Sequence, residues 1–281
     1  MNDQACFVRA TITAGIRTVY YDRGSGPTLV LLHGMFGDYT DWEPVLEPLS
    51  RTSRVIAPDL PGFGDSQKPD APYDGAFFVD WLTSFLKELG ISNLVLVGNS
   101  FGGEVAILFA LAYPNRVRQL VLVSSGGLRF YNEQERSLLR EKFSVENLAS
   151  LTPEAHEWMF RPIFAEKALA WRHYLEKQNA KLSRSDRTEY ARALHRSMLT
   201  AFSLYFDDEL SRLKMPVLLA WGDGDVVFPL PLAEHALAKL PNGELVLLER
   251  AGHAPQLENR DAFVGAIERF VRVGMPAGAR R

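Results

Sequence analysis

The sequence is nearly without cysteine: Cys6 stands alone. A disulfide framework within the chain is therefore excluded. Cys6, beside Phe7 and Val8 at an expected strand start, reads as a small apolar filler. An excess of charge is also lacking. Lys and Arg number 31 against 34 Asp and Glu, a net charge of −3, which offers no basic face to a nucleic acid. The visible basic cluster, Ala279-Arg280-Arg281, is a short solvated end. No apolar run approaches the roughly 20 residues of a membrane helix. Met1-Asn2-Asp3-Gln4 lacks the basic patch and apolar stretch of a signal peptide. No repeat and no low-complexity tract is present, and no His/Cys cluster has metal-ligand spacing. The expectation is a soluble cytoplasmic protein, monomer or homodimer, without a membrane span, metal or cofactor.

What the sequence does contain is apolar material in short runs. With 281 residues, 47% hydrophobic and 23% charged, the chain can bury one sizeable core and still carry an insertion. Residues 7–12 and 17–21 mix β-branched and polar residues before a turn at 22–27, which predicts a two-strand antiparallel start. Then come Leu29 to Leu32, Arg54 to Ala57, Leu94 to Val97, Leu120 to Val123, Val217 to Ala220 and Leu245 to Leu248. Strands apolar on both faces need cover on both faces, as in a parallel sheet between helices. Helical patterns at 77–89, 101–113, 231–240 and 261–271 separate several of them. Alternating strand and helix implies an α/β fold with right-handed crossovers. The rhythm breaks between Val123 and Val217. Residues 128–210 read as an inserted helical cap, since a structureless loop of that length is implausible. The core is then 1–127 with 211–281.

Several loops at strand ends carry chemistry. Ser100 sits in Gly98-Asn99-Ser100-Phe101-Gly102, between the strand at 94–97 and a helical pattern. A serine between glycines at such a junction suits a strained turn that projects its hydroxyl, and a helix N-terminus favours developing negative charge. By itself the pentapeptide also fits an ordinary βα turn. His33-Gly34-Met35-Phe36-Gly37 follows the run at 29–32, where a loop can aim a backbone N–H at an oxyanion. Met35 is the favoured donor, Phe36 its rival, and the N–H of Phe101 the second. His33, before a glycine in a tight turn, reads as structural. Trp221-Gly222-Asp223-Gly224-Asp225 follows the strand at 217–220, and either aspartate can orient a histidine. Ser124-Ser125-Gly126-Gly127 offers no carboxylate at the alternative position. Of six histidines, His156, His173 and His195 fall in the insertion and His235 in a helical pattern. His253, in Ala251-Gly252-His253-Ala254-Pro255, follows a strand and comes after the acid. The order nucleophile, acid, base is that of acyl-transfer enzymes built on such a serine turn.

In these motifs, together with Pro58-Asp59-Leu60-Pro61-Gly62-Phe63-Gly64-Asp65-Ser66 and Gly103, the chain resembles the α/β-hydrolase family over almost its whole length. The resemblance implies a mostly parallel, eight-stranded doubly wound sheet with a helical cap after its sixth strand. It selects Asp225 over Asp223, because the family acid is the last residue of G-x-x-D. It also implies acyl chemistry, since epoxide hydrolases and haloalkane dehalogenases of the family carry Asp where Ser100 stands. The segment Gly98 to Gly103 resembles the elbow of meta-cleavage product hydrolases, which cut carbon–carbon bonds in dienoate diketones. Those enzymes typically have Trp after the histidine, where this chain has Ala254. The expected activity is hydrolysis of a small or medium apolar carboxylic ester, with C–C hydrolysis as the alternative. A different class, a small-molecule receptor that keeps the triad, is also compatible. Expected substrate contacts are Phe36, Asn99 and the cap aromatics Trp158 and Phe164.

Overall fold

Successive residues of a strand face opposite sides of its sheet. In β3 (Thr28–Leu32), Leu29 and Leu31 enter one core while Val30 and Leu32 enter another. The same alternation holds in β4 (Arg54–Pro58), β5 (Leu94–Asn99), β6 (Val117–Val123) and β7 (Val217–Gly222). Their apolar runs thus supply both faces of one sheet. The computed structural model describes residues 6–165 and 169–273. Both chain ends discussed above, Met1–Gln4 and Ala279–Arg281, lie outside them.

The sheet has eight strands in the order β1-β2-β4-β3-β5-β6-β7-β8. β1 (Val8–Thr13) pairs antiparallel with β2 (Ile16–Arg23), and β2 pairs antiparallel with β4. All remaining neighbours are parallel, out to β8 (Gly243–Leu248). Two expectations change at the margins. β8 is an edge strand, so its apolar run is only half covered and Leu247 is 45% exposed. Cys6 precedes β1 and is exposed rather than packed as a filler.

α1 (Glu43–Ser50) and α11 (Arg260–Val273) cover one face, through Val45, Leu46, Leu49, Phe263 and Ile267. α2 (Gly75–Glu88), α3 (Phe101–Ala112) and α9 (Leu230–Lys239) cover the other. α2 starts where Asp74 accepts a hydrogen bond from the Phe77 N–H at 2.8 Å, an N-cap. Among the described residues, five α-helices lie between β6 and β7: α4 (Glu133–Lys142), α5 (Val145–Ala149), α6 (Pro153–Phe160), α7 (Leu169–Lys181) and α8 (Arg187–Ser203). A short α10 (Pro255–Glu258) follows the His253 loop.

Candidate active site

Ser100 joins β5 to α3 with φ 53° and ψ −117°. A non-glycine residue with positive φ is strained, and the surroundings must hold it. Here the Ser100 N–H donates to Val123 O at 3.0 Å, while its carbonyl accepts from the N–H groups of Gly103 and Gly126 at 2.9 and 3.0 Å. The flanking glycines are required by approach. A Cβ on Gly98 would lie 2.3 Å from Gly102 O, and one on Gly102 would lie 2.2 Å from Leu32 O.

His253 and Asp225 come from neighbouring loops after β8 and β7. The His253 Nδ1 is 3.0 Å from Asp225 Oδ2, and both residues are buried. The second carboxylate oxygen, Oδ1, accepts from the N–H groups of Val227 and Phe228, each at 2.9 Å. That fixes the carboxylate plane against the imidazole. The Phe228 ring packs edge-on to His253 at 5.2 Å. Asp223 turns elsewhere, accepting from the Ala251 N–H at 3.3 Å.

Ser100 and His253 line one cavity of about 190 Å³, roofed by Phe143, Met159, Phe160, Ile163 and Tyr174 of the α4–α8 segment. Gly34, Met35 and Phe36 form another side. Among the described residues, none accepts a hydrogen bond from the N–H of Met35, Phe36 or Phe101. Phe36 itself has φ 64°, and its carbonyl accepts from Lys181 Nζ of α7 at 2.7 Å. His33 stands behind this loop, fully buried. Its Nε2 accepts from the Leu60 N–H at 3.0 Å, so Nδ1 carries the proton and donates to Gly34 O at 2.8 Å. Burial holds its pKa down to about 4, against a smaller upward pull from the Gly34 carbonyl. Asp59 braces the same region by accepting from the N–H groups of Tyr39 and Asp65 at 2.8 and 2.7 Å.

The expected substrate contacts divide. Phe36 lines the cavity. Asn99 lines it too, but its amide is committed to the protein: Nδ2 donates to Val123 O and His253 O, and Oδ1 accepts from Gln256. It therefore ties β5 to the histidine loop. Phe164 lies behind the lining, against Trp171 and Tyr174. Trp158 is corrected outright. It is 69% exposed, with Lys142 over its ring, because α6 turns that side to solvent and Phe160 and Met159 inward.

Three features were not anticipated. The His253 N–H donates to Ile163 O at 2.7 Å, joining the histidine loop directly to the roof. Glu258 reinforces that seam, accepting from the N–H groups of Gly252 and Ala165 at 2.7 and 2.8 Å. Asp41, a buried acid, also lines the cavity. No local motif marks any of them, since each acts across elements far apart in the chain. Among the described residues there is no group of three metal-ligating side chains, and no helix is long and apolar enough to cross a membrane. A hydroxyl, an imidazole and a carboxylate placed in this way, beside uncommitted backbone N–H groups, can transfer an acyl group.

Comparison with known proteins shows relatives of the same fold. A 2-hydroxymuconate semialdehyde hydrolase of Pseudomonas sp. (strain CF600) is 29% identical over 281 residues, covering 94% of this chain and 93% of its own. Among solved structures, a thermophilic esterase from Thermogutta terrifontis superposes with a TM-score of 0.83 at 27% identity, over 96% of this chain and 99% of that one. A meta-cleavage product hydrolase from Pseudomonas fluorescens IP01 gives 0.82 at 25% identity, over 95% and 98%. The family model for the alpha/beta hydrolase fold matches residues 27–260. That match runs from the edge of β3 to the first residue of α11 and takes in every parallel strand: the chain belongs to the α/β-hydrolase fold family.

Proposed function

We propose that the protein is a serine hydrolase that cleaves a small or medium carboxylic ester by two-step acyl transfer. The observation that carries this reading is the His253–Asp225 contact of 3.0 Å in the wall of the cavity that Ser100 enters from a strained turn. In the first step Ser100 Oγ attacks the ester carbonyl carbon while His253 Nε2 takes its proton. Asp225 holds the proton on Nδ1 and stabilises the imidazolium that forms. The N–H groups of Met35 and Phe101 receive the developing oxyanion, a contribution of roughly 3 kcal/mol per donor in comparable sites. The imidazolium then protonates the departing alcohol. In the second step water attacks the acyl-enzyme with His253 again as base, and the acid leaves. Asn99 and Gln256 act as positioning residues, holding the histidine loop against β5.

Charge favours an ester over a dienoate. Among the described residues, the lining contains no lysine or arginine to pair with a substrate carboxylate, and it contains Asp41. An anionic diketone would be desolvated there without a cationic partner among the described residues, which costs free energy. Ala254, small and buried, stands where the C–C enzymes have Trp. The test is a panel of p-nitrophenyl acetate, butyrate and hexanoate beside a dienoate diketone. Steady multiple turnover of the esters, with kcat/KM at least a hundredfold above that for the diketone, is expected. The reverse order would replace the ester reading by C–C hydrolysis. A single turnover that leaves Ser100 or His253 modified would favour a receptor.

A further inference from the structure

Asp41 lies in the short turn Tyr39–Trp42, just after the loop that carries Met35 and Phe36. It is 9% exposed and lines the same cavity as Ser100 and His253. Its Oδ2 occupies the space left open by Gly37, where a Cβ would come within 2.2 Å of it. Among the described residues, none donates a hydrogen bond to this carboxyl. The nearest cations are committed elsewhere. Lys181 serves Asp38 at 2.8 Å and Phe36 O at 2.7 Å, and Lys177 serves Glu43 at 2.5 Å. Burial first, then the neighbouring Asp38, raises the Asp41 pKa to about 7, against the pull of Lys181 and Lys177.

A second polar side chain is fixed in the same wall. α10 packs against the Tyr39–Trp42 turn, and its Gln256 lines the cavity. The orientation of this amide is settled by its neighbour. Asn99 Nδ2 donates to two carbonyls, so Asn99 Oδ1 must accept, and Gln256 must present its NH₂. Gln256 Oε1 is then fully buried, without a hydrogen-bond partner and out of reach of a molecule in the cavity. The unpaired acceptor open to the cavity is thus the Asp41 carboxyl, and a buried acceptor left unpaired costs free energy that a donor on a bound molecule would recover. The rest of the roof is apolar: Phe143, Met159, Phe160 and Ile163.

We propose that the cavity selects esters whose acyl chain carries a hydroxyl donor, with Asp41 as its acceptor. The inference rests on the ester-hydrolase reading and narrows its substrate class. A site built to accept a hydrogen bond rejects an analogue that lacks the donor, because its own buried group is then left unpaired. A purely apolar pocket would discriminate in the opposite sense, favouring the alkyl chain.

The experiment compares matched p-nitrophenyl esters: butyrate with 3-hydroxybutyrate, and hexanoate with 6-hydroxyhexanoate. The readout is the ratio of kcat/KM, hydroxy over plain, within each pair. The wild-type ratio is expected to reach about tenfold in at least one pair, and Asp41→Leu is expected to bring it to one or below. Asp41→Asn, closer in shape, lowers the same ratio at least threefold and serves if the leucine variant does not fold. A wild-type ratio at or below one in both pairs overturns the proposal, as does a ratio that neither variant changes. If no ester is turned over at all, the hydrolase reading itself falls. Turnover of the plain esters with no hydroxy preference removes only the inference about Asp41.

Discussion

His33, which its place before a glycine in a tight turn marks as structural, is held on both sides of its ring by backbone groups, one from Gly34 and one from Leu60. Its pKa, about 4 in the folded chain against 6.5 for an ordinary histidine, means that the native state resists protonation. Stability tied to this group is therefore complete above about pH 6.5 and is lost as pH falls toward 4, because the unfolded chain binds the proton first. The window is worth roughly 3 kcal/mol at most. Thermal unfolding of His33→Asn between pH 4 and 7 is expected to show a flatter pH dependence than the wild type, and parallel curves would refute this. Asp225 makes the complementary case. Spacing alone left Asp223 and Asp225 equal; the family resemblance selected Asp225, and the pairing that sets β7 beside β8 brings its carboxylate to the imidazole. Asp225→Asn is expected to lower kcat by about three to four orders of magnitude with little change in KM, measured with p-nitrophenyl butyrate. Trp158 was not readable in this way. Its helix is only eight residues long, and so short a segment does not declare which aromatic faces inward.

At the scale of elements, the serine turn depends on backbone approach and the roof on ion pairs. Gly102 lies so close to Leu32 O that a methyl group cannot be added without moving β3 or α3. Gly102→Ala is expected to cost about 3 kcal/mol in stability, as other strained or overpacked sites do, and to reduce kcat more than KM. Unchanged unfolding would contradict the close approach. Lys181 links α7 to the loop of Met35 and Phe36, through the Phe36 carbonyl and through Asp38. Burial opposes ionisation of Asp38, but the charge of Lys181 and its hydrogen bonds hold the pKa well below the usual carboxylate range. Lys181→Met leaves that carboxylate buried without its partner, a loss of about 3 kcal/mol. It also frees the loop, for which a roughly tenfold to hundredfold fall in kcat is expected. A variant with lowered melting temperature but unaltered kcat would show that the loop holds itself. Elements whose apolar period is clean, such as β5 and α2, were legible from the sequence. α1 was not, because Pro44 and Pro48 break up its helical pattern, although Pro44 sits at a helix start where it is tolerated.

For the whole molecule, the doubly wound sheet followed from a general constraint: strands apolar on both faces need helices on both faces. What the sequence could not supply was how the five helices between β6 and β7 sit over the strand ends. That placement is made by contacts such as His253 N–H to Ile163 O and the Glu258 clamp, between residues some ninety positions apart. The central claim remains that Ser100 is the nucleophile. It is tested most directly by treating the protein with diethyl p-nitrophenyl phosphate and mapping the adduct by mass spectrometry while following p-nitrophenyl butyrate hydrolysis. The account predicts one diethylphosphoryl group, on Ser100, with activity lost in proportion to labelling and absent in Ser100→Ala. Labelling at another residue, or undiminished hydrolysis by Ser100→Ala, would contradict it.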